Sequence, residues 1–287
     1  MPGDVDERKA FRGLAWLALG NIVCAATLVA TNVLSWKFAF DGRAFAIRLA
    51  FTNANFAYAA TIGGQIYSWA IICAFIPHRR FMGLLWSVAF AVVLGTIQWL
   101  GMVVRDPGSA TATASMVWAG CLCLGVFSIA QGLRFLLGWR LVLQIEGSVP
   151  RAPQFQIADL IEWTVSISVF FGLGQLCGWF HNLRLLAMLI AWQSVITLPL
   201  ALTIVSQRGP RWAQVLLVVC LALFATVVFN LVNWYFAPLP LPSWMLLSQM
   251  LTPVACYLLA VAVNFSIVRR IGFRWTTPQR RVQSPPD

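Results

Sequence analysis

Charged side chains are scarce in this 287-residue sequence, where Asp, Glu, Lys and Arg together make up 10% of the chain. Soluble domains carry about 25% charged residues, because polar side chains must cover the surface that faces water. Apolar residues reach 60% here, which is more than a single buried core requires. The shortage of charge therefore excludes an ordinary soluble domain and predicts a protein whose outer surface faces lipid.

Histidine is rarer still, and the motifs of several enzyme classes are missing. The 2 histidines, His78 and His181, lie at opposite predicted membrane faces, so one haem cannot take both as axial ligands. The chain has no H-E-x-x-H zinc motif, no P-loop and no G-x-S-x-G turn. All 7 cysteines fall in apolar segments, which is typical of small buried hydrophobes. We expect no cofactor and no metal, and these absences favour a protein without enzymatic activity.

Acidic residues are also few, with 9 Asp and Glu against 20 Lys and Arg, and the net charge is +11. Binding of nucleic acid needs a basic face on a folded domain. Here the basic residues lie at the ends of apolar stretches, which is typical of orientation in a bilayer. The expected partner is therefore the lipid bilayer and not nucleic acid, and the sequence identifies no protein partner.

Long apolar stretches fill most of the chain. A spanning helix needs about 20 mostly apolar residues. The stretches of that length cover residues 14–36, 55–76, 82–104, 115–137, 157–180, 184–205, 213–236 and 244–268. They predict an all-α, polytopic transmembrane bundle of about eight helices, forming one domain over 14–268. Residues 1–13 are predicted to be a cytoplasmic tail and 269–287 a basic, disordered cytoplasmic tail. The segment 38–54 is predicted to hold a short interfacial helix at 44–51 or, alternatively, a re-entrant segment.

The positions of the basic residues predict the orientation of the bundle. Most of the 20 Lys and Arg lie in the two termini and in the connections after the second, fourth and sixth predicted spans. Cytoplasmic connections carry an excess of Lys and Arg. Most tryptophans lie near predicted span ends, where their amphipathic rings favour the headgroup level. We expect a multi-pass protein of the cell (inner) membrane with both termini in the cytoplasm.

One predicted helix opens with a recognisable pattern. The residues Phe155-Gln156-Ile157-Ala158-Asp159-Leu160 resemble the F-x-[IL]-x-D-L helix opening of uncharacterised multi-pass bacterial membrane proteins. The Ser and Arg usual in that opening are Gln156 and Ala158 here. The resemblance covers about twenty residues of the chain, a single helix by length. It implies a bacterial inner membrane and carries no activity.

Uncharged amides occur in every predicted helix. Amides in hydrocarbon need partners, and hydrogen bonds between helices supply them at about 0.6–2 kcal/mol each. Their first interpretation is therefore packing between helices. The alternative is a polar central cavity, and the candidates to line it are Gln65, Gln98, Gln175, Gln193 and Gln249.

Two prolines lie inside predicted spans, Pro199 in the sixth and Pro253 in the eighth. Each removes a backbone hydrogen bond and frees the carbonyl four residues earlier. Such positions serve as hinges or substrate contacts in transporters. They are also common in membrane helices in general, where neighbouring helices satisfy the freed groups. Pro199 and Pro253 are the candidate hinges.

Three charged residues lie within predicted spans, near their cytoplasmic ends: Arg134, Asp159 and Glu162. A charge at the bilayer centre costs about 3 kcal/mol or more, so charges within spans are first candidates for function. Together they would form the charged mouth of a cation or anion path. The alternative is electrostatic, with Arg134 near the negative end of its own helix and the two acids near the positive end of theirs.

Two functions from different classes are compatible with these patterns. One is a transporter or channel-like protein for a neutral or lipidic small molecule, built from the amides and the two proline kinks. The other is a non-enzymatic membrane subunit or sensor that acts through helix–helix contacts with a partner protein. The scarcity of charge at the predicted midplane counts against proton-coupled or ion-coupled transport.

Overall fold

Seven helices and two short strands make up the described part of the chain. The computed structural model describes residues 3–39, 45–76, 82–105, 111–143, 157–176, 183–206 and 243–276, with the single helical positions Leu216, Cys220 and Phe224. In chain order the elements are α1 Gly3–Ala39, α2 Phe45–Phe75, α3 Met82–Arg105, α4 Thr111–Leu137, β1 Arg140–Leu143, α5 Ile157–Leu176, α6 Leu183–Ser206, α7 Ser243–Ile271 and β2 Phe273–Thr276.

Helix α2 lies at the centre of the bundle. It packs against α1, α3, α4 and α7. Between Ile62 and Ile76 its side chains are buried on nearly every face. A helix that is apolar all round can be buried this way, because no face of it needs water. Helix α2 is therefore the element around which the others are arranged.

The outer helices bury one stripe and leave their other faces apolar as well. In α3 the buried positions Leu84, Ser87, Ala91 and Leu94 recur at helical spacing. The outward faces of these helices carry large exposed apolar side chains, for example Trp16, Val23 and Leu34 on α1 and Leu85, Trp86 and Val92 on α3. In water such a surface would be an aggregation site. Lipid is the solvent that it fits.

Four helices of the described chain contain stretches long and apolar enough to cross a membrane. These stretches are Arg8–Leu34, Met82–Val104, Ala119–Leu137 and Leu251–Ile271. They confirm four of the predicted spans by length and composition and are compatible with an integral membrane protein. The predicted spans 55–76, 157–180 and 184–205 fall on α2, α5 and α6. The span predicted at 213–236 lies outside the described residues, apart from the three single positions.

Several helix ends meet at one end of the bundle, called here the sheet end. Strands β1 and β2 follow the last residues of α4 and α7 and pair antiparallel. The ring of Phe75 at the end of α2 contacts that of Trp275 in β2, with centroids 4.7 Å apart. Arg269 near the end of α7 donates to the carbonyl of Ile204 near the end of α6, at 3.1 Å. The start of α1 lies there too, since a Cβ on Gly13 would come within 2.9 Å of Ile271.

Two predicted boundaries differ from the structure. The predicted tail 1–13 is helical from Gly3 on, because Glu7, Arg8 and Lys9 are good helix formers and Ala10 is buried in the core. The predicted interfacial helix 44–51 is not a separate element of the described residues, since α2 runs without a break from Phe45 to Phe75. Sequence polarity near Arg48 and Asn53 predicted an interruption that the helix does not have.

The two strands are a further difference from the prediction, because the sequence predicted an all-α fold with disorder after residue 268. In β1 and β2 the apolar side chains alternate, so that Leu141 and Leu143 share a sheet face with Phe273 and Trp275. Leu141 and Phe273 are buried. Each strand follows a glycine with positive φ, Gly138 at 64° and Gly272 at 108°. Glycine adopts this backbone without a Cβ clash, which ends the helix and lets the chain turn.

Replacing Gly272 with alanine should lower the free energy of unfolding by about 1–2 kcal/mol, because L-residues adopt positive φ only at that cost. Its Cβ would also lie 3.3 Å from Cδ1 of Leu143. The measurement is denaturant unfolding in mixed micelles. The control is Gly20→Ala, where the added Cβ meets nothing within 4 Å. The control should be neutral or slightly stabilising, since alanine is the better helix former. Equal effects at the two positions would contradict the strained turn.

Candidate functional site

The deepest charged side chain described, Arg134, interacts with a neighbouring helix. Arg134 is 8% exposed. Its Nη1 donates to the carbonyl of Ala74 in the last turn of α2, at 2.8 Å. Carbonyls in a last turn lack intrahelical partners and form the negative end of the helix dipole. Arg134 therefore caps α2, whereas the sequence suggested that it complements the end of its own helix.

Glu162 does the same for the start of α3. Its Oε1 accepts from the backbone N–H of Leu84, at 3.2 Å. Its Oε2 accepts from Nε2 of Gln131, at 3.4 Å. The first-turn N–H groups of a helix are unpaired and carry partial positive charge, so a carboxylate is stabilising there. Gln131, Arg134 and Glu162 thus hold the facing ends of α2 and α3, and we call these three residues the polar clamp.

Hydroxyls, a thiol and an indole continue this pattern between α3, α4 and α5. The Oγ of Ser87 lies 2.9 Å from Sγ of Cys123. The Oγ atoms of Ser128 and Ser166 are also 2.9 Å apart. The indole N–H of Trp163 donates to the carbonyl of Ser128, at 2.9 Å. These groups have partners within the protein, so this region fixes helix positions and has little hydrogen-bonding capacity left for a ligand.

A second polar region, the polar interior, lies between α2, α6 and α7. Tyr67 of α2 is fully buried, and its ring meets that of Tyr257 of α7 edge-on at 5.8 Å. The Tyr257 hydroxyl lies 2.6 Å from Oγ1 of Thr197 of α6. The members of the polar interior are largely buried and uncharged: Tyr67, Gln193, Ser194, Thr197 and Tyr257.

The polar interior contains buried polar atoms that have no hydrogen-bond partner in the described chain. They are the hydroxyl of Tyr67, Oε1 of Gln193 and Oγ of Ser194. The same holds for Oε1 of Gln65, Oδ1 of Asn32 and Nδ2 of Asn264 elsewhere in the bundle. A buried donor or acceptor without a partner costs about 1–3 kcal/mol. The three atoms of the polar interior lack a partner among the described residues, and a bound hydrogen-bonding molecule would supply one.

The residues of the polar interior lie at a similar depth from the sheet end. At 1.5 Å per residue, Tyr67 is about 12 Å from the end of α2 and Thr197 about 13 Å from the end of α6.

The structure separates the five glutamines that were candidates for one cavity. Gln65 is buried on α2, and Gln193 on α6 is half-buried with a buried Oε1. Gln98 is half-buried on α3, and Gln175 is exposed on α5, away from the polar interior. Gln249 belongs to α7, but its side chain lies outside the described residues. Of the five, Gln193 thus belongs to the polar interior, whereas Gln65 lies two residues before Tyr67 and so on the opposite face of α2.

The candidate hinges and the candidate mouth charges lie in different parts of the bundle. Pro199 and Pro253 are half-buried in α6 and α7, the helices that carry Thr197 and Tyr257. Arg134 and Glu162 lie together in the polar clamp at the sheet end. The side chain of Asp159 is outside the described residues. The two prolines therefore lie on helices that form the polar interior, and Arg134 and Glu162 belong to the polar clamp.

The sequence did not predict Tyr67, Ser194, Thr197 and Tyr257 as site residues, because the candidates within the spans were amides, prolines and charged residues. A usable signal was present. The chain has only 4 tyrosines, and tyrosine in membrane helices favours the interfaces at either end. Tyr67 and Tyr257 lie well inside their helices, where a phenol hydroxyl needs a partner within the protein.

Metal binding and disulfide chemistry find no support in the described residues. None of their His, Cys, Asp and Glu side chains form a group of three or more that could hold a metal ion. None of the cysteines in that part of the chain forms a disulfide, including Cys73 and Cys123 in the core. No protein-family model, no curated protein and no solved structure matches the chain. The site must therefore be interpreted from its own chemistry.

Proposed function

We propose that this protein is a transporter or channel-like membrane protein that binds a neutral small molecule, polar or lipidic, in its polar interior. The observation that carries the proposal is the set of buried polar atoms on α2 and α6 that have no hydrogen-bond partner among the described residues. Burial of such atoms lowers the free energy of unfolding, and binding of a hydrogen-bonding molecule restores it. The neighbouring clamp is paired within the protein, so it provides a rigid wall rather than a second site.

The chemistry of the polar interior favours a ligand without net charge. Its side chains are amides, hydroxyls and phenols, and none of them ionises near neutral pH. An ion at this depth would need a counter-charge, because an unpaired charge in a low-dielectric region is strongly disfavoured. The two aromatic rings of Tyr67 and Tyr257 add an apolar surface beside the polar atoms. A molecule with hydroxyl or amide groups on an apolar frame fits this combination.

The proposal includes eight spans, and the positions of the described helix ends support it. Ser206 ends α6 at the sheet end, whereas Ser243 starts α7 about 43 Å away from that end, at the length of a 29-residue helix. The chain must pass from one end of the bundle to the other between these residues. The apolar stretch 213–236 is long enough to do so.

The proposed location is the inner membrane of a bacterium, with both termini in the cytoplasm. An even number of spans returns the chain to the side from which it started. The sheet end then faces the cytoplasm, because the basic residues Arg269, Arg270 and Arg274 lie there. The resemblance of residues 155–160 to a bacterial helix opening agrees with this location.

Replacing Tyr67 with phenylalanine tests the proposed binding site. Without ligand, the variant should be more stable than the parent by about 1 kcal/mol, because an unpaired buried hydroxyl is removed. It should also lose the response to ligand. The measurement is thermal unfolding in detergent with and without neutral probes, namely glycerol, a monosaccharide, a nucleoside and a monoacylglycerol. At least one probe should stabilise the parent and fail to stabilise Tyr67→Phe.

The matched control is Tyr58→Phe, which makes the same chemical change on the same helix at a half-buried position outside the polar interior. This variant should keep the parent's response to the probe. If no probe stabilised the parent while Tyr67→Phe was simply more stable, the hydroxyl would be a defect of packing and no binding site. The hypothesis of a subunit that acts through partner contacts would then gain.

A further inference from the structure

The β1–β2 sheet presents an apolar face to the bundle. Leu141 lies opposite Trp275 and Leu143 opposite Phe273, so these four side chains share one face. Leu141 is fully buried and Phe273 is 4% exposed. Val142 and Arg274 alternate with them and belong to the other face. The inner face of this sheet covers helix ends, and the outer face carries Val142 together with Arg140, Arg274 and Thr276.

Trp275 holds the sheet against two of the three helices that form the polar interior. Its ring packs edge-on against Phe75 at the end of α2, with centroids 4.7 Å apart. Its indole N–H donates to the carbonyl of Ala201 of α6, at 3.2 Å. The third helix, α7, leads directly into β2. The sheet therefore spans the ends of α2, α6 and α7.

The polar interior lies directly below these contacts along the helix axes. Phe75 is two turns, about 12 Å, from Tyr67 on α2. Ala201 is about 6 Å from Thr197 on α6. A molecule that enters or leaves the polar interior through the sheet end must pass the inner face of the sheet.

Short connections join the sheet to its two helices. Both strands join their helices through a glycine with positive φ, Gly138 and Gly272. A two-stranded sheet is only marginally stable by itself, so its position depends on its contacts with the helices. Trp275 packs against the core and also makes one ring pair and one hydrogen bond, which are individually weak.

We propose that the β1–β2 sheet is a closure for the polar interior and that the structure shows its closed state. This inference rests on the proposed function, because a closure has a purpose only above a binding site. Opening moves Trp275 away from Phe75 and Ala201, and the two glycines absorb the change in backbone direction. Closing restores the apolar cover over α2, α6 and α7.

A thiol reporter inside the site tests the closure without any ligand. The reporter is Ser194→Cys in a protein whose 7 native cysteines are replaced by alanine or serine. The measured quantity is the rate of labelling by N-ethylmaleimide in nanodiscs, where the reagent reaches both faces. Trp275→Ala should raise this rate about tenfold, which corresponds to a loss of roughly 1.4 kcal/mol from the closed state. Val142→Ala, on the outer face of the same sheet, should leave it unchanged.

Trp275→Phe provides a second, milder variant that keeps an aromatic ring and removes only the indole N–H. It should raise the labelling rate about fivefold, the value of one typical hydrogen bond. Equal labelling rates in Trp275→Phe, Trp275→Ala and the parent would overturn the closure. An equal rise in Val142→Ala would also overturn it, because the effect would then be general loosening of the sheet.

The same reporter separates failure of the closure from failure of the binding site. Protection of Ser194→Cys by a neutral probe such as a nucleoside or a monoacylglycerol tests binding alone. Protection by a probe with no effect of the Trp275 variants would leave the site standing and reject the closure. Faster labelling in the Trp275 variants without protection by any probe would support the closure and count against binding of a neutral ligand in the polar interior.

Discussion

Replacing Arg134 with methionine should lower the free energy of unfolding by about 2–3 kcal/mol, the value of a buried hydrogen bond made by a charged group. Methionine keeps the length of the side chain and much of its packing, but it cannot donate to the carbonyl of Ala74. That carbonyl lies in the last turn of α2, the central helix, and would remain buried without the guanidinium of Arg134. The measurement is unfolding by denaturant titration in mixed micelles.

Arg270→Met is the matched control for Arg134→Met, because Arg270 is an exposed arginine at the same end of the bundle. Its loss should change stability by less than about 0.5 kcal/mol. Glu162→Gln should cost about 1 kcal/mol, since an amide oxygen can still accept from Leu84 but lacks the charge that favours a helix start. If Arg134→Met were as mild as Arg270→Met, the polar clamp would not stabilise the bundle.

Replacing Gly64 with leucine should be more damaging still, at about 3 kcal/mol or more, because the new side chain overpacks a backbone contact. A Cβ at this position would lie 2.8 Å from the carbonyl oxygen of Tyr257 and 3.1 Å from the Cβ of Ala260. These are parts of α7 that cannot swing aside as a long side chain can. The helices α2 and α7 would have to separate, which would pull Tyr67 away from Tyr257. Both stability and the response to neutral probes should be lost.

Gly63→Leu is the control for Gly64→Leu, since it adds the same side chain one residue earlier on α2. A Cβ at Gly63 meets nothing within 4 Å. This variant should unfold at nearly the parent's denaturant concentration, helped by the better helix propensity of leucine. Comparable damage at Gly63 and Gly64 would show that α2 tolerates no added volume anywhere, and the close approach of α2 to α7 would lose its significance.

The helical part of the fold could be predicted because the bilayer imposes a simple rule on sequence. Backbone groups in hydrocarbon must be paired within the chain, so an apolar stretch of sufficient length becomes a helix. The rule is weaker near the interface, where water is available. There the polar residues around Arg48 predicted a break that α2 lacks, and the charged residues before Phe11 predicted a tail where α1 is helical.

The sheet could not be predicted by span-length reasoning, since four-residue strands are far below that scale. Its local signals were nevertheless present, in Gly272 after a helix and in the alternation of Phe273 and Trp275. The sequence did not indicate which segment pairs with β2. The register that places Leu141 opposite Trp275 depends on how α4 and α7 each pack against α2. That arrangement is a property of the folded chain.

The candidate site was predicted only in part for the same reason. Of the predicted amides, Gln193 lies in the polar interior, Gln65 is buried on the opposite face of α2, and Gln175 is exposed on α5. Which face of a uniformly apolar helix points inward is not marked by polarity, so composition could not separate these residues. The roles of Arg134 and Glu162 were assigned to their own helices, because a sequence gives no neighbouring helix end to cap.

The passage of the chain between Ser206 and Ser243 is the step on which the eight-span bundle and its orientation depend. It can be tested with one pair of reporter fusions, placed before residue 1 and after residue 287, using a fluorescent protein that folds only in the cytoplasm and a phosphatase that is active only outside it. Both ends should give fluorescence and neither should give phosphatase activity. Fluorescence at one end with phosphatase activity at the other would mean an odd number of crossings and would contradict the proposed topology.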